Sequence, residues 1–144
     1  LLGEVHDENA FGMGGVSGNA GLFSTALDLA IFAQAFLNEG EYGGTRILSP
    51  SSVKLMTRKH TEKLNEPRGI GWAIKSKSGS SAGDLLSDSS FGHTGFPGDS
   101  LWIDPVNELI VVLLTNRVHP TRGNDAILRV RPQFHNIIAS SIVA

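Results

Sequence analysis

The chain has 144 residues, a formal net charge of −2, an isoelectric point near 6.2 and no cysteine. This length is enough for one domain or part of one, the charge does not favour nucleic-acid binding, and the lack of cysteine excludes disulfides and thiol chemistry. No apolar run reaches the roughly 20 residues that a membrane-spanning helix needs, and no signal peptide is recognisable. The sequence starts at Leu1 without an initiator methionine, so we expect the carboxyl-terminal piece of a longer protein.

Residues 1–22 are predicted to form a loop, because glycine recurs throughout the stretch from Gly12 to Gly21. Such a loop could cradle a phosphate, but a dinucleotide fingerprint would need glycine at Ser17 and a strand before it. We therefore expect a close-packed loop along a binding cleft. His6 and Asp7 could form a catalytic pair, although an aspartate that holds a loop through backbone hydrogen bonds is commoner.

Residues 24–39 are predicted to form a helix. Thr25 and Asp28 have the spacing of a capping box, and apolar residues recur at intervals of three and four along one face. Gly40 is a suitable stop signal. This helix is expected to contribute packing and no chemistry.

A turn or small hairpin is predicted over residues 41–46, followed by a shorter helix that starts at Ser49-Pro50. Within this helix, Ser51 and Lys54 stand three residues apart and would share one face. A lysine so placed can activate a serine as a nucleophile. We nevertheless interpret the spacing of Ser51 and Lys54 as a coincidence and assign the pair no catalytic role.

The second half of the chain predicts a sheet. Residues 69–75 are a strand candidate, and residues 76–89, rich in serine, glycine and aspartate, are predicted to be a mobile loop. Asp99 to Asp104 alternates apolar and polar residues, as a half-buried strand does. A turn is expected from Asp104 to Asn107, and the unbroken apolar run from Leu109 to Leu114 is typical of a strand covered on both faces. The last two strands would form an antiparallel hairpin.

A terminal helix is predicted over residues 125–143 from its apolar positions. Pro132 interrupts this stretch, so we expect a kink or a late start.

His93-Thr94-Gly95 lies just before the hairpin and is the candidate binding motif. The imidazole can donate or accept a proton, the hydroxyl can bind a carboxylate, and glycine lets a ligand approach the backbone. The alternative is a tight turn with a solvent-exposed histidine. The sequence predicts neither a metal site nor a cofactor, because no Cys and no His-Glu-x-x-His pair accompany the scattered histidines, which are His6, His60, His93, His119 and His135.

Ser90 to Gly98, with the hairpin that follows and ends in Thr115-Asn116-Arg117, resembles the third motif of the serine β-lactamase and penicillin-binding-protein superfamily. That motif is usually Lys-Thr-Gly, and His-Thr-Gly is a variant in the esterase-like and amidase-like branches. Val5 to Ala10, the glycine-rich loop and Ala20 to Ala30 also match, so the resemblance spans residues 3 to about 118. It implies an α+β fold, an antiparallel sheet with packing helices, in which residues 1–144 are the carboxyl-terminal part of one β-lactamase/transpeptidase-like domain.

The resemblance also implies roles for four residues. Thr94 and Gly95 would bind the substrate, with the Thr94 hydroxyl on a carboxylate, and His93 would replace the lysine with a weaker, pH-dependent positive charge. The backbone N–H of Phe96 would be one oxyanion-hole donor. The superfamily order is Ser-x-x-Lys, then Tyr-x-Asn or Ser-x-Asn, then Lys-Thr-Gly. No middle motif follows Ser51, so we expect the nucleophile to lie outside this chain and the chain alone to be inactive.

By the same resemblance, the whole protein would cleave an amide or ester through an acyl-enzyme, with a peptidoglycan-derived peptide as the favoured substrate. It would work outside the cytoplasmic membrane, as a secreted or membrane-anchored protein. The alternative is a non-catalytic binding or regulatory module of the same fold. Because strands from an earlier part of the chain complete the superfamily's sheet, we expect this chain to self-associate or to bind that missing part.

Overall fold

A computed structural model describes residues 2–61, 64 and 66–142. Helices and antiparallel strands both occur, which confirms the predicted α+β class. In chain order the elements are α1 (Glu8–Gly12), α2 (Ala26–Leu37), β1 (Glu41–Tyr42), β2 (Thr45–Arg46), α3 (Pro50–Thr57), β3 (Ala73–Ile74), β4 (Phe91–Thr94), β5 (Ser100–Asp104), β6 (Leu109–Leu113) and α4 (Ile127–Ser140).

The main sheet has the order β3-β4-β5-β6, with every neighbouring pair antiparallel. The predicted hairpin is confirmed, because β5 pairs with β6 from Ser100 opposite Leu113 to Asp104 opposite Leu109. Strand β3 is shorter than the predicted strand over residues 69–75 and is extended only by an isolated bridge between Arg68 and Ala73. The small hairpin predicted over residues 41–46 is also present, as β1 and β2.

Strand β6 differs from the prediction that both of its faces are covered. Only Val111 is buried, whereas Leu109, Ile110, Val112 and Leu113 are partly exposed. Within the described residues β6 is an edge strand of the sheet. An apolar run shows that a strand is hydrophobic but does not show which elements cover its two faces. The pattern alone therefore overestimated the burial of β6.

Helix α2 packs on one face of the sheet. Its cap is the predicted Thr25, whose hydroxyl oxygen accepts a hydrogen bond from the Asp28 N–H at 3.1 Å. Phe36 brings this helix into edge-to-face contact with Trp72, at a ring-centroid distance of 5.0 Å, and Trp72 contacts Phe91 of β4 in the same way at 5.4 Å. These buried aromatic residues form the main core and hold β4, which carries the candidate motif.

The loop over residues 76–89 is present, but it contributes to the core. Ala82 and Leu86 are buried against Trp102. The wholly buried Asp104 accepts hydrogen bonds from the Ser87 N–H at 2.7 Å and the Ser87 hydroxyl at 2.6 Å. Burial acts to raise the pKa of Asp104, but hydrogen bonds from Ser87 and from the turn after β5 outweigh it and lower the pKa. A carboxylate thus anchors a segment whose composition predicted mobility.

Two helices depart from the predictions. Helix α1 lies inside the stretch predicted to be a loop, because Asp7 caps it by accepting from the Ala10 N–H at 2.8 Å. Helix α4 begins at Ile127 and runs through Pro132, so of the two expected outcomes, a kink or a late start, the late start did not occur. A proline removes one backbone hydrogen bond from a helix. The helix nevertheless continues through Pro132, and Arg131 and His135 on either side of it are buried.

Candidate active-site wall

Strand β4 ends in a turn that positions the candidate motif. His93 lies opposite Leu101, and Thr94 lies opposite Ser100, on the neighbouring strand β5. After Thr94 the chain reverses through Gly95 to Gly98, because the Gly98 N–H donates to the Gly95 carbonyl at 3.1 Å and the Gly95 N–H donates to the Asp99 carbonyl at 2.8 Å. Residues 95–98 are called the oxyanion turn below, after the role implied for Phe96.

Gly98 is required by the backbone of this turn. Its φ of +113° is disfavoured for residues with a side chain, and an added Cβ would lie 1.9 Å from Oγ1 of Thr115. The Thr115 N–H in turn donates to Oδ1 of Asp99 at 2.8 Å. The turn is therefore packed closely against Thr115, just after the end of β6.

His93 is exposed, and its ring bridges to an arginine. Its Nδ1 lies 2.9 Å from the Thr94 carbonyl oxygen, and its Nε2 lies 3.5 Å from Nη1 of Arg68. With Nδ1 donating to the carbonyl, Nε2 can accept from the guanidinium. Arg68 also forms an ion pair with Glu66 at 2.7 Å. Sequence reasoning missed Arg68, which stands 25 residues before His93 and is brought there only by the fold.

Thr94 is half-buried, and within the described ranges its hydroxyl has no hydrogen-bond partner. Its position at the end of β4, one residue before the oxyanion turn, leaves that hydroxyl available to a ligand. A groove of about 1260 Å³ reaches Thr94 and passes Arg68 and Lys54. The groove is lined by Thr94, by five cationic side chains and by three carboxylates, which are Lys54, Lys59, Arg68, Lys75, Lys77, Glu39, Glu66 and Asp88.

Phe96 projects from the oxyanion turn, and its side chain is 56% exposed. The Arg117 guanidinium lies 4.4 Å from the centre of its ring, and the His6 ring stacks on it at 5.8 Å. Among the described residues, no acceptor lies within hydrogen-bonding distance of the Phe96 N–H. The turn therefore presents one free backbone donor.

The amino-terminal segment is attached to this side of the sheet through Arg122. Its guanidinium forms an ion pair with Glu8 at 2.6 Å and lies 3.0 Å from Nε2 of His6. His6 therefore borders the oxyanion turn, whereas Asp7 is used as the cap of α1. The hydrogen bond from the Ala10 N–H lowers the pKa of Asp7 below its ordinary value. No hydrogen bond joins His6 to Asp7 among the described residues, so the structure does not assemble them as a catalytic pair.

Ser51 and Lys54 both lie on the exposed side of α3. No hydrogen bond connects them within the part of the chain that the structure describes, and Ser51 does not line the groove that Lys54 borders. The described residues contain no cluster of three or more histidine or acidic side chains that could hold a metal ion. Nor do they include a helix long and apolar enough to cross a membrane.

Strand β4 thus ends in His93-Thr94-Gly95 and leads into a turn with a free N–H, and these residues are among those on which the resemblance to the serine β-lactamase and penicillin-binding-protein superfamily rests. Comparison with known families agrees. The chain belongs to the Beta-lactamase family, whose sequence model matches residues 2–133.

Two curated relatives share the name "Putative D-alanyl-D-alanine carboxypeptidase". That of Escherichia coli (strain K12) is 42% identical over 122 residues, which are 83% of this chain and 28% of the relative. That of Salmonella gallinarum (strain 287/91 / NCTC 13346) is 41% identical over 130 residues, or 88% of this chain and 30% of the relative. The chain therefore spans less than a third of the length of these relatives.

A solved structure of a β-lactamase from Mycobacterium bovis has the same fold. It superimposes with a TM-score of 0.70 at 26% identity, covering 84% of this chain and 45% of that protein. The predicted β-lactamase-like architecture is confirmed.

Proposed function

We propose that this chain forms one wall of a serine-hydrolase active site, the wall that binds the substrate carboxylate and stabilises the oxyanion. The observation that carries the proposal is the free Phe96 N–H, two residues from the free hydroxyl of Thr94 on the same strand end. A backbone donor and a hydroxyl so close in sequence can hold the two ends of one small acyl substrate, its reacting carbonyl and its carboxylate.

The other catalytic groups come from a segment outside these residues. A serine in that segment attacks the substrate carbonyl, and the resulting oxyanion is held by the Phe96 N–H and the N–H of the serine itself. Collapse breaks the amide or ester bond, the proton lost by the serine passes to the departing amine or alcohol, and an acyl-enzyme remains that water hydrolyses. Thr94 binds the carboxylate of the substrate, and Arg68, which lines the same groove and also pairs with Glu66, contributes a guanidinium to that wall.

The substrate we propose is a peptide amide close to a terminal carboxylate, such as the end of a cell-wall peptide. The names of the two curated relatives support this class, and so does a wall that combines a hydroxyl with a guanidinium. A cell-wall substrate would place the protein outside the cytoplasmic membrane.

The proposal predicts where a fluorescent serine-hydrolase acylating probe reacts. We expect the full-length protein, the longer chain that the relatives' lengths suggest, to be labelled, and the 144-residue chain to remain unlabelled because it lacks the nucleophile. A Ser51→Ala variant of the full-length protein should be labelled as fast as the wild type. Gel fluorescence against a known serine hydrolase as the positive control measures both.

Three outcomes would contradict parts of this proposal. Labelling of the 144-residue chain that is lost in Ser51→Ala would make Ser51 the nucleophile. Slower labelling of full-length Ser51→Ala would give that residue a role in the reaction. Absence of labelling in every protein except the positive control would favour a non-catalytic binding module.

We further propose that the rest of the protein packs on the free edge of β6 and on exposed apolar residues of α2 and α4. Leu27, Leu128 and Ile137 are 71%, 70% and 67% exposed, and strand edges with unpaired backbone groups readily pair with another strand. Without that segment, the chain should self-associate. Light scattering over a range of micromolar concentrations tests this, and a strict monomer throughout would contradict it.

A further inference from the structure

Helix α4 brings a buried arginine beneath the oxyanion turn. Arg131 is 6% exposed, yet no carboxylate lies within ion-pair distance among the described residues. Its Nη2 donates to the Gly95 carbonyl oxygen at 2.5 Å and its Nε donates to the Gly98 carbonyl oxygen at 3.1 Å. Burial lowers the pKa of Arg131, and the charge of Asp99 partly offsets this. A guanidinium is costly to bury, so its two acceptors should matter to the protein.

The remaining carbonyl groups of the turn also have partners. The Phe96 carbonyl oxygen accepts from Nε of Arg117 at 2.7 Å, and the Pro97 carbonyl oxygen accepts from the Arg117 N–H at 2.8 Å. The Gly95 and Gly98 N–H groups are bonded within the turn region, and proline has no N–H. Within the described residues, the Phe96 N–H is thus the one backbone polar group of the oxyanion turn without a partner. Because Phe96 is exposed, this N–H is open to solvent or to a ligand.

The Gly95 carbonyl and the Phe96 N–H belong to the same peptide unit. That unit is planar, and in its trans form the carbonyl oxygen and the N–H point in opposite directions. A donor that holds the oxygen from beneath therefore directs the N–H away from α4, toward the open side of the turn. A charged donor on the oxygen also polarises the N–H and strengthens it as a donor.

We propose that Arg131 is a positioning residue, which fixes the Gly95–Phe96 peptide plane so that the Phe96 N–H faces the substrate carbonyl. Its effect on the reaction rests on the proposed function, whereas its effect on the peptide plane does not. Nothing in the sequence pattern marked Arg131, because a lone arginine on an amphipathic helix usually faces solvent.

Kinetics of the full-length protein tests the effect on the reaction. Arg131→Met should lower the rate constant for acylation by a reporter ester about 10- to 100-fold, while the dissociation constant of the initial complex changes less than about threefold. Arg131→Lys, which can hold one carbonyl, should recover part of the rate. The matched control is Arg129→Met on the exposed side of the same helix, which should acylate like the wild type.

The amide signal of Phe96 tests the peptide plane independently of any reaction. In full-length protein labelled with ¹⁵N-phenylalanine, Arg131→Met should shift the Phe96 amide signal and Arg129→Met should not. Equal spectra and equal acylation rates for Arg131→Met and the wild type would overturn the proposal. If the wild type is not acylated, the proposed function fails. The Phe96 amide signal alone then shows whether Arg131 fixes the peptide plane. If Arg131→Met does not fold, Arg131→Lys carries both tests.

Discussion

Lowering the pH from 7 to 4 is expected to reduce the free energy of unfolding by about 3 kcal/mol through His135 alone. His135 is wholly buried on α4, where its Nε2 lies 3.0 Å from the Ser100 hydroxyl. Its Nδ1 has no hydrogen-bond partner among the described residues. Burial, reinforced by the positive charge of Arg131, lowers the pKa of His135 to about 4 from its ordinary 6.5.

Whether stability rises or falls with pH depends on which state, folded or unfolded, binds the proton more tightly. Between pH 6.5 and 4 the unfolded chain takes up a proton on His135, while the folded chain does not. The contribution to stability is therefore complete above pH 6.5 and is lost as the pH falls to about 4. The lowered pKa of Asp104 acts in the same direction at still lower pH, since protonation weakens its hydrogen bonds.

Urea unfolding at fixed protein concentration, in steps from pH 7 to pH 4, measures this effect. The control is His135→Gln, which keeps a polar partner for Ser100 but does not titrate. This variant should be less stable than the wild type at pH 7 and should lose less stability on acidification. Equal slopes of unfolding free energy against pH in the two proteins would show that His135 is not the group responsible.

Replacing Phe96 by proline should reduce acylation of the full-length protein by about 10²- to 10³-fold, because proline removes the one free N–H of the oxyanion turn. The loss should lie in the acylation rate constant, since the donor acts on charge that develops in the transition state. Stopped-flow measurement with a chromogenic ester separates this rate constant from the binding of the ester.

Phe96→Ala is the matched control for this variant. It removes the ring that contacts His6 and Arg117 but keeps the N–H. We expect Phe96→Ala to retain most of the acylation rate. If the alanine and proline variants are impaired equally, the side chain rather than the N–H matters, and the oxyanion role assigned to Phe96 is wrong.

The elements predicted correctly from the sequence are those set by local interactions. The Thr25 cap, the tight turn between β1 and β2, and the hairpin of β5 and β6 each depend on residues a few positions apart. Local backbone preference and the hydrophobic repeat also depend on residues a few positions apart in the sequence. They can therefore be recognised without a structure. The family was recognisable for a similar reason, since each of the matching pieces, among them Val5 to Ala10, Ala20 to Ala30 and His93-Thr94-Gly95, is a contiguous stretch.

The parts that the sequence did not reveal depend on contacts between distant segments. Arg68 reaches His93 across 25 positions and Arg131 reaches Gly95 across 36, while Asp104 anchors the loop over residues 76–89. The identity of such a residue does not indicate which carbonyl or side chain the fold will place beside it. The sequence by itself determined the family, the class of fold and the candidate motif. Only the tertiary structure decided which charged side chains surround that motif and which backbone N–H is left without a partner. The reason is that the folded geometry determines which donors and acceptors come within hydrogen-bonding distance.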